Sequence, residues 1–471
     1  MTDPMTQKIA SAPEKISGRA MQRCIAKSCG GTYGLAERIY VCPRCSGPLE
    51  IEVRLGTATE AAGLRNLWKS RAVSDSAQDR SGVWRFRELL PFSEGAPIVT
   101  LFEGNTPLYD APRCAEYAGL EWLRLKHQGC NPTGSFKDTG MTAAVTQAVL
   151  LGARTAVCAS TGNTAASLAA YSARAGLQCA ILVPRGQITA AKLAQSMDYG
   201  AVVCEIDGNF DDCMRLIQEI GDDPSIYVAN SINPFRIEGQ KTVAFEMMEQ
   251  LHWRVPDHVV VPGGNLGNST ALGKGFGELL ALGLIDRMPK LSVVQAEGAA
   301  PFARLFAEME ARHSHGQADL PDDMITEPHP KTLATAIKIG APVSWKKSLR
   351  EVLRSGGRVI AVNEQEIADA KAMTGREGIG CEPASATTVA GIRKLVAAGH
   401  MRPAESVVAV LTGHVLKDPD YVSNYHRGTL SLGGDASGTG AAQTITGAFR
   451  NTPKRVAANK TAILDLLRPR T

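Results

Sequence analysis

The sequence predicts an α/β chain with two doubly wound, mostly parallel sheets, preceded by a small cysteine-bearing module. Three observations predict it. From about residue 96 to 420 an apolar run, a polar turn and an amphipathic stretch recur, the alternation that builds strand–helix–strand units and a parallel sheet. The apolar runs, among them TAVCAS, LQCAILVP, AVVCEI and DHVVVPGG, are nearly continuous, as in strands covered on both faces. Four cysteines fall as two close pairs within residues 21–52.

In chain order, residues 1–20 read as a polar tail without the apolar core of a signal peptide. Residues 21–52 hold Cys24 and Cys29, four residues apart in the gap, then twelve residues, then Cys42 and Cys45 in C-P-R-C. Two close thiolate pairs on two hairpin tips suit tetrahedral Zn²⁺, and four protein ligands make the site structural. Unligated cysteines in a small hairpin are the bland alternative. Residues 53–95 connect this module to the α/β region at 96–420. From about 421 the chain extends further, turns Gly/Ser/Thr/Ala-rich after 430, and ends in a stretch with the pattern of one basic helix. Cys158, Cys179 and Cys204 sit in apolar runs and read as buried small hydrophobes. An odd total of eleven cysteines cannot all pair, which argues against a disulfide framework and for a cytosolic protein. A net charge of +4 over 471 residues is too small to argue for a nucleic-acid surface. No apolar run approaches the roughly 18–20 residues of a membrane helix.

Ligands of open α/β sheets bind at the carboxyl ends of strands, and three turns stand out there. They are Ser160-Thr161-Gly162-Asn163-Thr164, Gly263-Gly264-Asn265-Leu266-Gly267-Asn268 and Thr412-Gly413-His414. The second suits a phosphate, because glycines let N–H groups close round an anion and the next helix adds its positive end. It is neither a Walker loop nor the dinucleotide fingerprint, whose first glycine is replaced by Pro262. A turn that binds nothing is the alternative.

The stretch NPTGSFKDTG, residues 131–140, sets Lys137 at the first turn of a predicted helix. An ammonium gains nothing from the positive end of a helix dipole, which instead favours the neutral amine. A neutral amine is what condenses with an aldehyde. Pyridoxal phosphate offers an aldehyde and a phosphate together, so the lysine and the glycine cup are the minimum kit for it.

The stretches SGVWRFRELLP, EGNTPL, NPTGSFKD, ASTGNTAAS, NSINPFRIEGQKT, PGGNLGN and LTGHVLKDP follow in order from about Trp84 to Asp420. Over that span the chain resembles the threonine synthases, of the fold-type II (tryptophan synthase β-like) pyridoxal-phosphate enzymes. Longer members of that family also carry a zinc-ribbon-like N-terminal segment. The C-x4-C of the first cysteine pair is wider than the usual C-x2-C. The resemblance implies a smaller mobile domain at about 138–245 inserted in the larger one, and a homodimer. It implies that Lys137 holds the cofactor and acts as mobile base and acid. Asn163 would bond the cofactor's phenolic oxygen, Gly263 to Asn268 its phosphate, and Thr412 would face its pyridine nitrogen. Ser160, Thr161 and Thr164 would bind the substrate carboxylate; Asn230, Ser231 and Arg236 would bind a second phosphate, on O-phospho-L-homoserine. A guanidinium matches a phosphate in two-point geometry, although an exposed arginine opening a helix is the plain alternative for Arg236.

Two rival readings keep the same fold: a cysteate-type synthase using phosphoserine, and a serine or threonine dehydratase. Asn265 and Asn268 interrupt the all-glycine loop of the dehydratases, which also need no second phosphate site. A third, of another class, is a zinc-ribbon nucleic-acid module with an inactive α/β shell; its ribbon lacks a dense basic run.

Overall fold

Two parallel sheets carry the fold of the computed structural model, which describes residues 18–26, 28–186, 190–312, 321–433 and 442–467. The larger sheet has six strands in the order Val359–Val362, Lys290–Ala296, His258–Pro262, Val407–Leu411, Leu123–His127 and Leu108–Asp110. All neighbours are parallel except the last pair. The smaller sheet has four parallel strands, Val202–Ile206, Gln178–Pro184, Thr155–Ala159 and Ile226–Val228. All four fall in the chain between Leu123–His127 and His258–Pro262 of the larger sheet.

The continuous apolar runs are explained by cover on both faces. Every residue of His258–Pro262 and Val407–Leu411 is buried. Val259 and Val261 pack into a core with Phe245, Phe276 and Leu291, whereas Val260 packs into another with Val389 and Ile392. Alternate side chains thus serve opposite faces.

Two helices without caps from Ser, Thr, Asn or Asp begin near each other: Lys137–Leu150 and Phe235–Gln250. They approach so closely that a Cβ on Gly239 would lie 1.8 Å from the Thr139 carbonyl oxygen, and one on Gly140 would lie 2.8 Å from that of Arg236. No side chain fits at Gly239.

The N-terminal module is a three-stranded antiparallel sheet of Thr32–Tyr33, Ala20–Cys24 and Leu49–Val53. The connecting segment contains the helix Leu64–Arg71 and a 3-10 turn, Trp84–Leu89, which bury Trp68 and Trp84 completely. Cys158 and Cys179 are buried as expected, and Cys204 is half-buried. Where composition predicts loosening after 430, Ser431–Leu432 pairs antiparallel with Gln443–Thr444. Leu430 and Ile445, flanking that ladder, are buried against Tyr421 and Tyr425, so two apolar anchors override a polar composition. Of the predicted final helix, Lys460–Leu467 is helical; residues 455–459 are not, and 468–471 lie outside the described residues. Residues 1–17 of the predicted tail and 434–441 of the extension lie outside the described residues. Among the described residues no helix is long and apolar enough to cross a membrane.

Candidate active site

Lys137 is the first residue of its helix, as the turn before it predicts. That turn is held by its own motif. Asp138 accepts from the Thr133 N–H at 2.7 Å, the Thr133 hydroxyl at 2.6 Å and the Ser167 hydroxyl at 2.6 Å. Asn131 Oδ1 accepts from the Gly104 N–H of EGNTPL at 2.8 Å. Phe136 N–H donates to the Thr412 carbonyl at 2.9 Å, which ties the lysine turn to the end of Val407–Leu411. The Lys137 ammonium stands 4.1 Å from the centroid of the Phe136 ring.

The amine is pushed down to about 7. Burial is the largest cause, the Arg236 guanidinium the second, and Glu382 opposes them. Sequence reasoning assigns the shift to the helix dipole; desolvation and a neighbouring cation account for it here. Arg236 reaches the lysine because Gly140 and Gly239 let the two helices cross closely near their starts. It is 3 % exposed, so the alternative of an exposed arginine does not hold. One guanidinium nitrogen donates to the Ala229 carbonyl at 3.1 Å. Its Nε is buried with no hydrogen-bond partner among the described residues.

The glycine turn joins the buried strand His258–Pro262 to the helix Gly267–Ala281. A Cβ on Gly263 would lie 2.7 Å from Val293 and 2.8 Å from Gln295, and Leu266 closes the turn in the left-handed region at φ 64°. Asn265 is tied down by the Ser344 N–H, which donates to its carbonyl at 3.1 Å. Asn268 is 6 % exposed and its Nδ2 is buried without a partner among the described residues. A buried donor left over at a helix start is what a bound phosphate satisfies. A low-pKa amine and an anion cradle therefore fit pyridoxal phosphate.

Asn163 opens the helix Asn163–Ala175, with Thr164 beside it and Ser160 and Thr161 half-buried before it. Ser160 accepts from the Gly162 N–H at 3.3 Å. Asn230 spends its side chain on the neighbouring strand: Oδ1 accepts from the Ala159 N–H and Nδ2 donates to the Ala159 carbonyl, both at 3.1 Å. It pins the strand end that precedes Ser160. Ser231 follows it, half-buried.

Sequence reasoning missed two residues. Glu382, 1 % exposed, accepts from Asn163 Nδ2 at 2.9 Å and from the Thr412 hydroxyl at 2.9 Å. Burial raises its carboxyl above the ordinary value. Thr412 thus has the Glu382 carboxyl group behind it, in addition to Ser385 at 3.0 Å. Lys417, in LTGHVLKDP, donates to Gln195 at 2.5 Å, and Gln195 donates to the Thr133 carbonyl at 3.1 Å. Its ammonium is lowered by burial, while Asp138, Glu382 and Asp418 oppose this.

At the N-terminus the four predicted ligands converge: the sulfurs of Cys24, Cys29, Cys42 and Cys45 all lie within 4.8 Å of one another. The Cys24–Cys45 and Cys29–Cys42 pairs are 3.5 and 3.6 Å apart. Thiolates about 2.3 Å from a tetrahedral zinc stand about 3.8 Å apart, so the donor set fits that ion despite the wide first pair.

Residues 99–413 match the family described as pyridoxal-phosphate dependent enzyme. Among curated proteins the chain is 45% identical to the threonine synthase of Methanocaldococcus jannaschii over 401 residues, 85% of this chain and 93% of the relative. It is 46% identical to that of Mycobacterium leprae over 339 residues, 71% of this chain and 88% of the relative. Solved structures share the fold at lower identity. A fungal L-serine ammonia-lyase from Rhizomucor miehei aligns with TM-score 0.57 at 20% identity, over 68% of this chain and 98% of that one. Threonine deaminase isoform 2 of Solanum lycopersicum aligns with TM-score 0.55 at 19% identity, over 66% and 79%. The chain therefore belongs to the fold-type II pyridoxal-phosphate-dependent enzymes and, within them, to the threonine synthases.

Proposed function

We propose that Lys137 carries the cofactor of a threonine synthase reaction and that Arg236 holds the phosphate of its substrate. The reaction converts O-phospho-L-homoserine and water to L-threonine and phosphate. Bound pyridoxal phosphate supplies the electron sink for negative charge on the substrate carbons. The observation that carries the assignment is the convergence of a buried, unpaired guanidinium nitrogen on an amine lowered to about 7.

Each remaining role belongs to a named group. The turn Gly263 to Asn268 holds the cofactor phosphate, with Asn268 Nδ2 as the spare donor. Asn163 and Thr412 position the ring, both anchored on Glu382. Ser160, Thr161 and Thr164 take the substrate carboxylate. Arg236, with Ser231, takes the substrate phosphate, and Asn230 acts by fixing the strand end before Ser160. Lys137 Nζ, its amine lowered to about 7 so that a substantial share is neutral near that pH, removes the α proton and then a β proton. Phosphate leaves from the γ carbon and Lys137 returns one proton to that carbon; water adds its hydroxyl at the β carbon and gives its other proton to the departed phosphate, and Lys137 returns the second proton to the α carbon. Water must stay out until phosphate has left, so the segment at about 138–245 closes over the substrate.

The four cysteines hold a structural zinc ion, the protein assembles as a homodimer, and it works in the cytosol. These are read from the thiolate spacing, the family resemblance and the cysteine usage. Turnover tests the main assignment. The cofactor-loaded protein is given O-phospho-L-homoserine, with phosphate release followed and the amino acid product identified. Threonine as product, with no turnover by Lys137→Ala, is expected. Turnover of O-phosphoserine in its place would move the substrate and leave the lysine.

A further inference from the structure

We propose a second ligand site, for a small organic anion bearing a planar ring, between the helix Glu364–Arg376, the helix Pro419–Arg427 and residues 449–451. A cavity of about 370 Å³ lies there, within the range of small-molecule sites. Lys371, Arg376, His426 and Arg450 line it, and among the described residues no carboxylate does. Nearby acids are otherwise engaged. Asp369 accepts from the Tyr425 hydroxyl at 3.1 Å, and Asp418 accepts from Thr335 at 3.3 Å while its charge reaches Lys371.

Gathering Lys371, Arg376 and Arg450 is unfavourable without an anion. Lys371 is only 9 % exposed, and burial lowers its ammonium. The His426 imidazole is lowered by burial and then by the charges of Lys371 and Arg376. Like charges held together in a partly desolvated site repel, and an anion between them removes that cost. Tyr421, 6 % exposed, also lines the cavity.

The ring is read from the walls. Tyr425 and Phe449 line the cavity, with Arg376 4.8 Å from the Phe449 centroid. Aromatic faces beside cations favour a planar body with a charged end. The C-terminal extension supplies His426, Phe449 and Arg450, so completing this site gives that segment a role the catalytic reading leaves open. The cavity also borders Gly380 and Val415, next to Glu382 and to Thr412–His414. An occupant touches the chain segments that hold the cofactor ring, which suits an effector.

Titration calorimetry on the cofactor-loaded full chain tests this. Two probes share the chemistry from different sources: AMP and 4-hydroxyphenylacetate. Adenosine lacks the anion and inorganic phosphate lacks the ring. One AMP or one aromatic carboxylate per chain is expected to bind, and which of them does identifies the source. Adenosine and phosphate are expected to bind at least about tenfold more weakly. Arg450→Ala, at an exposed position, and Lys371→Met should each weaken the ringed anion at least about tenfold, with turnover of phosphohomoserine in its absence unchanged. Binding by neither ringed anion, or binding that survives both substitutions, overturns the proposal. Binding of adenosine as tight as AMP overturns the anion requirement.

Discussion

At the scale of single residues the site depends on groups whose charged forms burial disfavours. Lys137 titrates near 7 in the folded chain against 10.5 ordinarily. Between those values the unfolded chain binds the extra proton, so the stability of the cofactor-free protein rises with pH from about 7 towards 10.5. Urea midpoints at pH 7 and 9.5 check this: the rise should shrink in Lys137→Met. Arg236→Gln removes the second cause of the depression and the proposed substrate anchor together. The amine should then titrate higher, and KM for phosphohomoserine should rise by at least about 30-fold, the ~2 kcal/mol expected for losing a desolvated charge partner. A pH profile of kcat/KM separates the two effects. Glu382 is the opposite case, an acid raised by burial. Its folded value lies above the unfolded one, so its contribution is complete below the ordinary carboxylate range and is lost as pH rises through the raised value. Glu382→Gln can still accept from Asn163 and bond Thr412. It should stay within about 1 kcal/mol of wild type at neutral pH and lose that pH dependence, whereas Glu382→Leu strands both partners and should cost about 2–5 kcal/mol.

At the scale of elements, a helix crossing sets the position of the reacting amine. Gly239 meets the Thr139 carbonyl at a distance no Cβ tolerates. Gly239→Ala should force the helices Lys137–Leu150 and Phe235–Gln250 apart, costing at least about 1–3 kcal/mol of stability. It should lower kcat/KM further than its melting shift implies, because Lys137 and Arg236 separate. Comparing thermal melts with kinetics checks both. Crossings of this kind show what a sequence hides. The strands were legible, because a run such as DHVVVP must be apolar throughout when both faces are covered. The three turns and Lys137 were legible from local glycine chemistry and from a lysine at the unfavourable end of a helix. Gly239 was not, since a glycine inside a helix carries no mark of its neighbour. Glu382 was not, because its partners lie 219 and 30 residues away and CEPASATTV reads as an ordinary helix start. The hairpin after 430 was missed because two buried side chains, Leu430 and Ile445, decide it against the composition around them.

At the scale of the whole molecule the cysteine module touches both sheet systems. Toward the smaller sheet, the Tyr40 hydroxyl accepts from the Val228 N–H at 2.8 Å, and the Leu35 carbonyl accepts from Gln147 at 2.7 Å. Arg38 donates to the carbonyls of Leu151 and Pro224. Toward the larger, Glu50 pairs with Arg350 at 2.7 Å and the Leu49 carbonyl accepts from Lys347 at 2.5 Å, both on the helix Trp345–Ser355. A module of three short strands has too little core to hold that shape alone, so a metal held by its cysteines would matter beyond its own ligands. Stripping the proposed zinc with a chelator, or replacing Cys42 by Ser, should therefore act at a distance. Zinc content should fall from one ion per chain to none, and the melting temperature should drop by at least about 5 °C. Amide exchange should quicken both at Val228, whose N–H is held by Tyr40, and along Trp345–Ser355. Faster exchange confined to residues 20–53 would mean that the module is an appendage. Faster exchange on both sides would make it a brace between the two sheets, one that any closure over the substrate must bend or slide past.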